Sequence, residues 1–207
     1  MNKKIFKGSV MLNPVPVTLI STKDTEGKPN VFTVAWVGTA CTKPPILSVG
    51  IRPERLSYKN IVETGEFVVN LPSRDLVKAV DFCGVRSGRD IDKFEAFNLS
   101  TEPGISVDAP IITDCPVNIE CKLKDIIKLG SHDLFLGEVV NIQVNENLID
   151  DNGKIHFEDA QLISYCHGEY YDISKKSLGK FGYSVQKKKT FSKAKSKSNK
   201  KSPKTNR

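Results

Sequence analysis

The sequence has no CxxC pair, no Gly-x-Gly-x-x-Gly run and no Walker-type phosphate loop. It has one tryptophan, two methionines and three histidines. The five cysteines, Cys41, Cys83, Cys115, Cys121 and Cys166, are an odd number without paired spacing, which argues against a disulfide-stapled scaffold. His132, His156 and His167 do not combine with them into a metal-ligand spacing, so no metal is expected. Free thiols fit a reducing cytoplasm. No apolar run approaches the roughly 20 residues that cross a bilayer. Lys3, Lys4 and Lys7 are not followed by a long apolar stretch, so no signal peptide and no membrane attachment are expected.

What remains is a chain of 207 residues, 39% hydrophobic and 27% charged, enough to bury one core. Its net charge of +7 is unevenly placed. Residues 187–207 carry ten Lys/Arg and no Asp/Glu, which leaves residues 1–186 with 21 basic and 24 acidic groups, a balance of −3. The basic pI therefore does not mark the body as a nucleic-acid binder. Two segments are expected: a folded domain over 1–186 and a basic, disordered tail over 187–207, too poor in apolar residues to order itself.

Residues 15–22 and 30–40 are rich in β-branched residues and predict two strands, with turn chemistry from Asp24 to Pro29 making them a hairpin. After Pro44-Pro45 a third strand is expected over 46–51. Ser57 to Thr64 predicts a helix with Ser57 as N-cap and Gly65 just past its end. A strand over 67–71 and a second short helix after Ser73 follow. The polar stretch 85–94 predicts a loop, and later strands are expected over 116–124, 134–144 and 161–165. Asp150 to Gly153 is a turn. Many strands with two short helices give a mostly β fold, a Greek-key barrel or sandwich.

The densest chemistry lies between Asn30 and Asn60. Trp36 stands beside Ala35, Gly38 and Ala40, and a glycine inside a strand often marks close approach by a backbone or ligand. Arg52, Arg55 and Ser57 then cluster at a helix start, where backbone N–H groups and the helix dipole favour an anion such as phosphate. The pair suits a nucleotide with a flat ring. The same residues also fit surface salt bridges, a helix cap and, for Trp36, a place in the core.

Four blocks carry a family resemblance: NVFTVAWVGTACTKPPILSVGIRPERLSYKNIVETGEFVVNLP (30–72), DFCGVRSGRDIDKF (81–94), GSHDLFLGEVV (130–140) and SLGKFGYS (177–184). In this order they resemble the flavin reductase-like family with the FMN-binding split-barrel fold, especially its flavoredoxin-like branch. The resemblance implies a six-stranded Greek-key split β-barrel with a few short helices, assembled as a homodimer with one FMN per subunit. Thr33, Ala35, Trp36, Val37 and Gly38 would line the flavin. Arg52, Arg55, Ser57 and Tyr58 would hold its phosphate end. Asp92, Lys93 and Phe94 would approach the ring or ribityl chain, with Lys93 the candidate charge near the ring's N1–C2=O edge. His132 falls where nicotinamide-using relatives show Gly-Asp-His, with Ser131 here in place of Asp, and is the one catalytic candidate. The segment GKFGYS would cover the site.

The function so implied is that of an FMN-dependent oxidoreductase passing electrons from NADH, NADPH or a protein donor. The cofactor carries the redox chemistry, so the lack of a Ser/His/Asp constellation is no objection. The alternative from another class is a non-catalytic split barrel that contacts nucleic acid or a partner through its basic tail.

Overall fold

The computed structural model describes residues 1–186; the expected basic tail, 187–207, lies outside the described residues. One unit comprises Met1–Lys175 and a second begins at Lys176. The described part of the second unit holds the GKFGYS segment and one 3-10 turn, Tyr183–Val185.

In the main unit, strands β1 (Val15–Pro16), β2 (Thr18–Lys23), β3 (Pro29–Val34), β4 (Val37–Thr42) and β5 (Pro45–Ile51) precede helix α1 (Leu56–Thr64). Strand β6 (Glu66–Leu71) leads through a 3-10 turn, Arg74–Leu76, into α2 (Val77–Val85) and then α3 (Lys93–Phe97). Strands β7 (Thr101–Glu102), β8 (Ile111–Ile112), β9 (Val117–Lys128), β10 (Asp133–Val144), β11 (Ile163–Cys166) and β12 (Glu169–Asp172) complete the chain.

The main sheet is antiparallel, with strand order β3-β2-β6-β9-β10-β5-β4. Its two edge strands, β3 and β4, are joined by Ala35 and Trp36 alone. Two residues cannot span a flat seven-stranded sheet, because neighbouring strands lie about 4.8 Å apart. The sheet must therefore curl until its edges meet at this link. The expected single strand 30–40 is thus two strands that serve opposite edges, and six strand segments become seven.

The β2–β3 hairpin forms as its sequence suggests. Asp24 Oδ1 accepts the N–H groups of Glu26 and Lys28 at 3.0 and 2.8 Å, which closes the turn. Alternate side chains then point to opposite faces. Leu19 and Val31 join one core with Ala79, Val80 and Cys83 of α2. Ile20 and Phe32 join another with Phe67, Cys121 and Phe135 inside the curled sheet. With both faces covered, Thr18 to Thr22 are all buried, the hydroxyl-bearing residues included.

Helix α1 ends as expected, at Gly65 with φ +71°. Its N-cap is Arg55, not Ser57. The expected loop 85–94 also needs correction at its end, because Lys93 and Phe94 open α3. Asp92 caps that helix by accepting the N–H groups of Phe94 at 2.9 Å and Glu95 at 3.1 Å. Phe94 and Phe97 pack on the α2-side core. Five residues are too few for a helical period to show in sequence.

Candidate functional site

The start of α1 is set by the turn after β5. The Arg55 N–H donates to the Arg52 carbonyl at 3.1 Å, and the Tyr58 N–H to the Arg55 carbonyl at 3.0 Å. The first N–H groups of a helix have no partner inside it. The arginine that caps this end therefore stands beside a ready anion site.

Ser57 is fully buried, and its hydroxyl is used internally. It accepts from Asn30 Nδ2 at 2.7 Å and shares a 3.0 Å bond with Thr22 Oγ1, which also accepts from Asn60 Nδ2 at 3.2 Å. This network fastens α1 to the β2–β3 hairpin. Ser57 thus holds the helix end in place, and its hydroxyl is committed to that task.

Across from α1, the chain leaving α2 runs through Arg86-Ser87-Gly88-Arg89. Gly88 sits so close to β3 that a Cβ would overlap Asn30 Oδ1 and lie 3.3 Å from Leu56 Cδ2. Between this loop and α1 is a cavity of about 290 Å³ onto which Arg52, Arg55, Arg86, Arg89 and Lys93 converge. Arg52 is paired with the exposed Glu54 at 3.3 Å, and Arg89 donates to the Glu54 carbonyl at 3.0 Å. Among the described residues Arg55 and Arg86 have no salt bridge. Glu54 is held below the usual carboxylate range by a backbone hydrogen bond and then by Arg52.

A second cavity, about 230 Å³, shares Phe32, Arg52 and Arg55 with the first. Residues 33–36 form one wall, and Gly50 to Arg52 with His132 form the other. Trp36 is 39% exposed and is not a core residue. The Gly50 N–H donates to the Trp36 carbonyl at 2.7 Å, which fixes the strand break at the cavity edge. Thr33 Oγ1 donates to the Val80 carbonyl and so ties this wall to α2. Burial, then the nearby Arg52, lowers the His132 pKa, so the imidazole is neutral at pH 7. Its Nδ1 lies 3.0 Å from Ser131 Oγ.

A third cavity, about 160 Å³, shares Asn30, Gly88, Arg89 and Lys93 with the first and is also lined by Asp92 and Phe94. The first cavity adjoins each of the other two through these shared lining residues. The three spaces bring together Thr33, Ala35, Trp36, Arg52, Arg55, Ser57, Asp92, Lys93, Phe94 and His132. Lys93 borders the arginine-lined end and not the cavity beside residues 33–36, which moves it away from a ring-edge position.

Val37, Gly38 and Tyr58 do not line these spaces. Val37 packs against the core that holds Ile20, Phe32 and Phe67, and Gly38 lies on β4, where its carbonyl accepts from Ser48 Oγ. Tyr58 packs edge-on against Phe135 at 5.0 Å and donates to Asp133 Oδ2 at 2.7 Å. Lys128 Nζ donates to both groups at 2.6 Å. These bonds, Lys128 first, hold the Asp133 carboxyl below its usual range. Tyr58 is thus a strut from α1 to β10. Tyr58→Phe is expected to lower stability by about 1.5–3 kcal/mol, the scale of a hydrogen bond to a charged group. Chemical denaturation of the variant beside the unmodified protein measures the loss.

Arg86, Gly88, Arg89, Asn30 and Phe32 complete the groove and were not singled out as site residues from sequence. For the loop residues, a usable signal was the alternation of arginine with small residues in Arg86-Ser87-Gly88-Arg89. Cys83 is fully buried, and burial pushes its thiol up to about 11, which makes it a packing residue. Tyr165 and Tyr170 pack against the same core as α2, and Tyr170 donates to Asp81 at 3.1 Å. Among the described residues no cluster of His, Cys, Asp or Glu could hold a metal, and no helix is long and apolar enough to cross a membrane.

The fold has known counterparts. A family model described as a flavin reductase-like domain matches residues 10–174. This chain belongs to that family. Its flavin reductase-like fold superposes on the flavoredoxin of Desulfovibrio vulgaris (Miyazaki F) with a TM-score of 0.84 and 32% identity, over 89% of this chain and 100% of that one. It superposes on a flavoredoxin from Methanosarcina acetivorans with a TM-score of 0.79 and 27% identity, over the same shares. In sequence it is 27% identical, over 141 residues, to an NADH:riboflavin 5'-phosphate oxidoreductase of Streptomyces pristinaespiralis. That match covers 68% of this chain and 77% of the relative. The mostly β, split-barrel-related fold expected of the family is the one observed.

Proposed function

We propose that the groove holds FMN with its phosphate among Arg55, Arg86, Arg89 and the first N–H groups of α1, and its ring against residues 33–36. The chain is an FMN-binding flavoprotein of the flavin reductase-like family with an oxidoreductase role. The observation that carries the placement is that the two cavities adjoin, with Phe32, Arg52 and Arg55 lining both. One end offers unpaired guanidinium groups, and the other offers an apolar, aromatic edge. A dianion attached to a flat heterocycle needs that combination.

The residues present fit the cofactor. Gly88 lets the arginine loop lie against β3, where a Cβ would overlap the Asn30 side chain. When bound, FMN supplies the hydride and electron transfer that no side chain here can perform. The protein's part is to bind, orient and tune. Arg55 and the loop arginines anchor the phosphate end. The Gly50–Trp36 hydrogen bond holds the strand break rigid, so the wall beside the ring is pre-formed. His132 brings a neutral imidazole to that side, able to donate or accept a hydrogen bond.

The electrons come from NADH or NADPH, with a redox protein as the other donor class. The partly exposed Trp36 and His132's place beside the ring cavity leave an approach for a second substrate and favour a pyridine nucleotide. The active form is a homodimer. Exposed Ile5, Phe6, Val10, Met11 and Leu12 form an apolar stretch of the kind that another subunit covers. Five free cysteines fit a cytoplasmic location.

Anaerobic addition of NADH and NADPH to the FMN-loaded protein tests the enzymatic part. At least one should bleach the visible flavin absorption within the time of catalysis. Absorption that persists with both, yet bleaches with a reduced electron-transfer protein, would remove the reductase reading.

A further inference from the structure

Lys93 opens α3, and its side chain runs inward, leaving the residue 3% exposed. Its Nζ donates to the carbonyls of Val31 at 2.8 Å and Cys83 at 3.1 Å. Both acceptors are neutral, and an ammonium group carries three donors. No carboxylate forms a salt bridge with it among the described residues. The adjacent Asp92 carboxylate is engaged by the N–H groups of Phe94 and Glu95.

A buried charge without an opposite charge is strongly unfavourable, so proteins pair such groups or neutralise them. Here the surroundings add more positive charge. Arg55 faces Lys93 from α1, and Cys83, a thiol, from α2. Arg86 and Glu54 lie around the inner cavity; Lys28, Arg89, Asp90 and Asp92 share the outer one. Lys93 borders both spaces.

We propose that Lys93 is a buried cation whose counter-ion is the terminal phosphate of the bound nucleotide. The inference rests on the FMN reading and deepens it. The fold supplies the charge and two neutral acceptors, and the ligand supplies the anion. Lys93 therefore distinguishes a phosphorylated flavin from the same ring without phosphate.

Protonation follows from this pairing. Burial, with a smaller push from Arg55, lowers the Lys93 pKa in the protein alone. A phosphate dianion beside it would raise that pKa again. Above the lowered pKa, FMN binding must take up a proton, so FMN affinity falls as pH rises, by at most tenfold per pH unit. The Cys83 thiol, at about 11, stays protonated over the neutral and mildly alkaline range. The second ionisation of a phosphate monoester, near pH ~6, is complete there too.

The test is the ratio of riboflavin Kd to FMN Kd, measured by fluorescence titration on the full chain. Riboflavin has the same ring and no phosphate, so titration of the ring cancels in the ratio. Lys93→Met keeps most of the side-chain bulk and removes the charge. The ratio should fall tenfold or more in this variant. In the unmodified protein it should fall as the pH rises through the lowered Lys93 pKa, a readout that survives if the variant does not fold. A ratio that is unchanged by Lys93→Met and flat with pH overturns the inference while leaving FMN binding intact. No binding of either flavin to the unmodified protein overturns the parent reading instead.

Discussion

Gly88→Ala is expected to weaken FMN binding at least tenfold and to lower the melting temperature at the same time. The added Cβ would overlap Asn30 Oδ1 and lie 2.8 Å from Asn30 Cγ. Asn30 is 6% exposed, and its amide nitrogen is committed to Ser57. Swinging the amide aside would leave the buried Ser57 hydroxyl short of a partner, so the loop must lift. Lifting it carries Arg86 and Arg89 away from the cavity together. Overpacking of this kind costs about 1–3 kcal/mol, which for a domain of this size is roughly 3–10 °C in Tm. An unchanged FMN Kd in Gly88→Ala would show that the arginine loop does not contact the cofactor.

Arg55→Ala should weaken FMN binding by about tenfold to a hundredfold, because one charge-assisted hydrogen bond is worth about 1.5–3 kcal/mol. Riboflavin affinity should barely move. Thermal stability should hold, because Arg55 makes no salt bridge among the described residues. Arg55→Lys should recover only part of the loss, since the ammonium lacks the planar fork that grips two phosphate oxygens. Arg52 provides the contrast. Its guanidinium is already paired with exposed Glu54, an interaction of the kind worth about 0–1 kcal/mol. Arg52→Ala should therefore weaken FMN by much less. Equal losses from Arg52→Ala and Arg55→Ala would contradict the assignment of the unpaired arginine to the phosphate.

The sequence made the hairpin and the helix end legible because their causes are local. Asp24 closes its own turn, and Gly65 occupies the left-handed position directly after α1. The general location of the groove was also legible, since Trp36 and Arg55 are close in sequence and both belong to it. The strand break at Ala35-Trp36 was hidden because no turn residue marks it. It arises only when the sheet curls and Gly50 bonds to Trp36. The misplacement of two hydroxyls has the same origin. A serine at a helix start looks identical whether it faces out or in. What turns Ser57 inward is Asn30 and Thr22, 27 and 35 residues away. Tyr58 is likewise drawn from the groove by Asp133, 75 residues along the chain. The family resemblance placed Lys93 near the ring edge of the flavin. Only the meeting of α3 with β3 and α2 shows that its ammonium is enclosed.

The central claim is that one groove at the seam of the curled sheet takes the whole of FMN, phosphate at the arginine end and ring at the Trp36 edge. A crystal structure of the FMN complex tests it most directly. The account predicts phosphate oxygens within hydrogen-bond reach of Arg55 and of Arg86 or Arg89, with the isoalloxazine against residues 33–36. A flavin bound instead on the apolar groove formed by Phe82, Val85 and Phe97, with the arginine cavity free of phosphate, would contradict it.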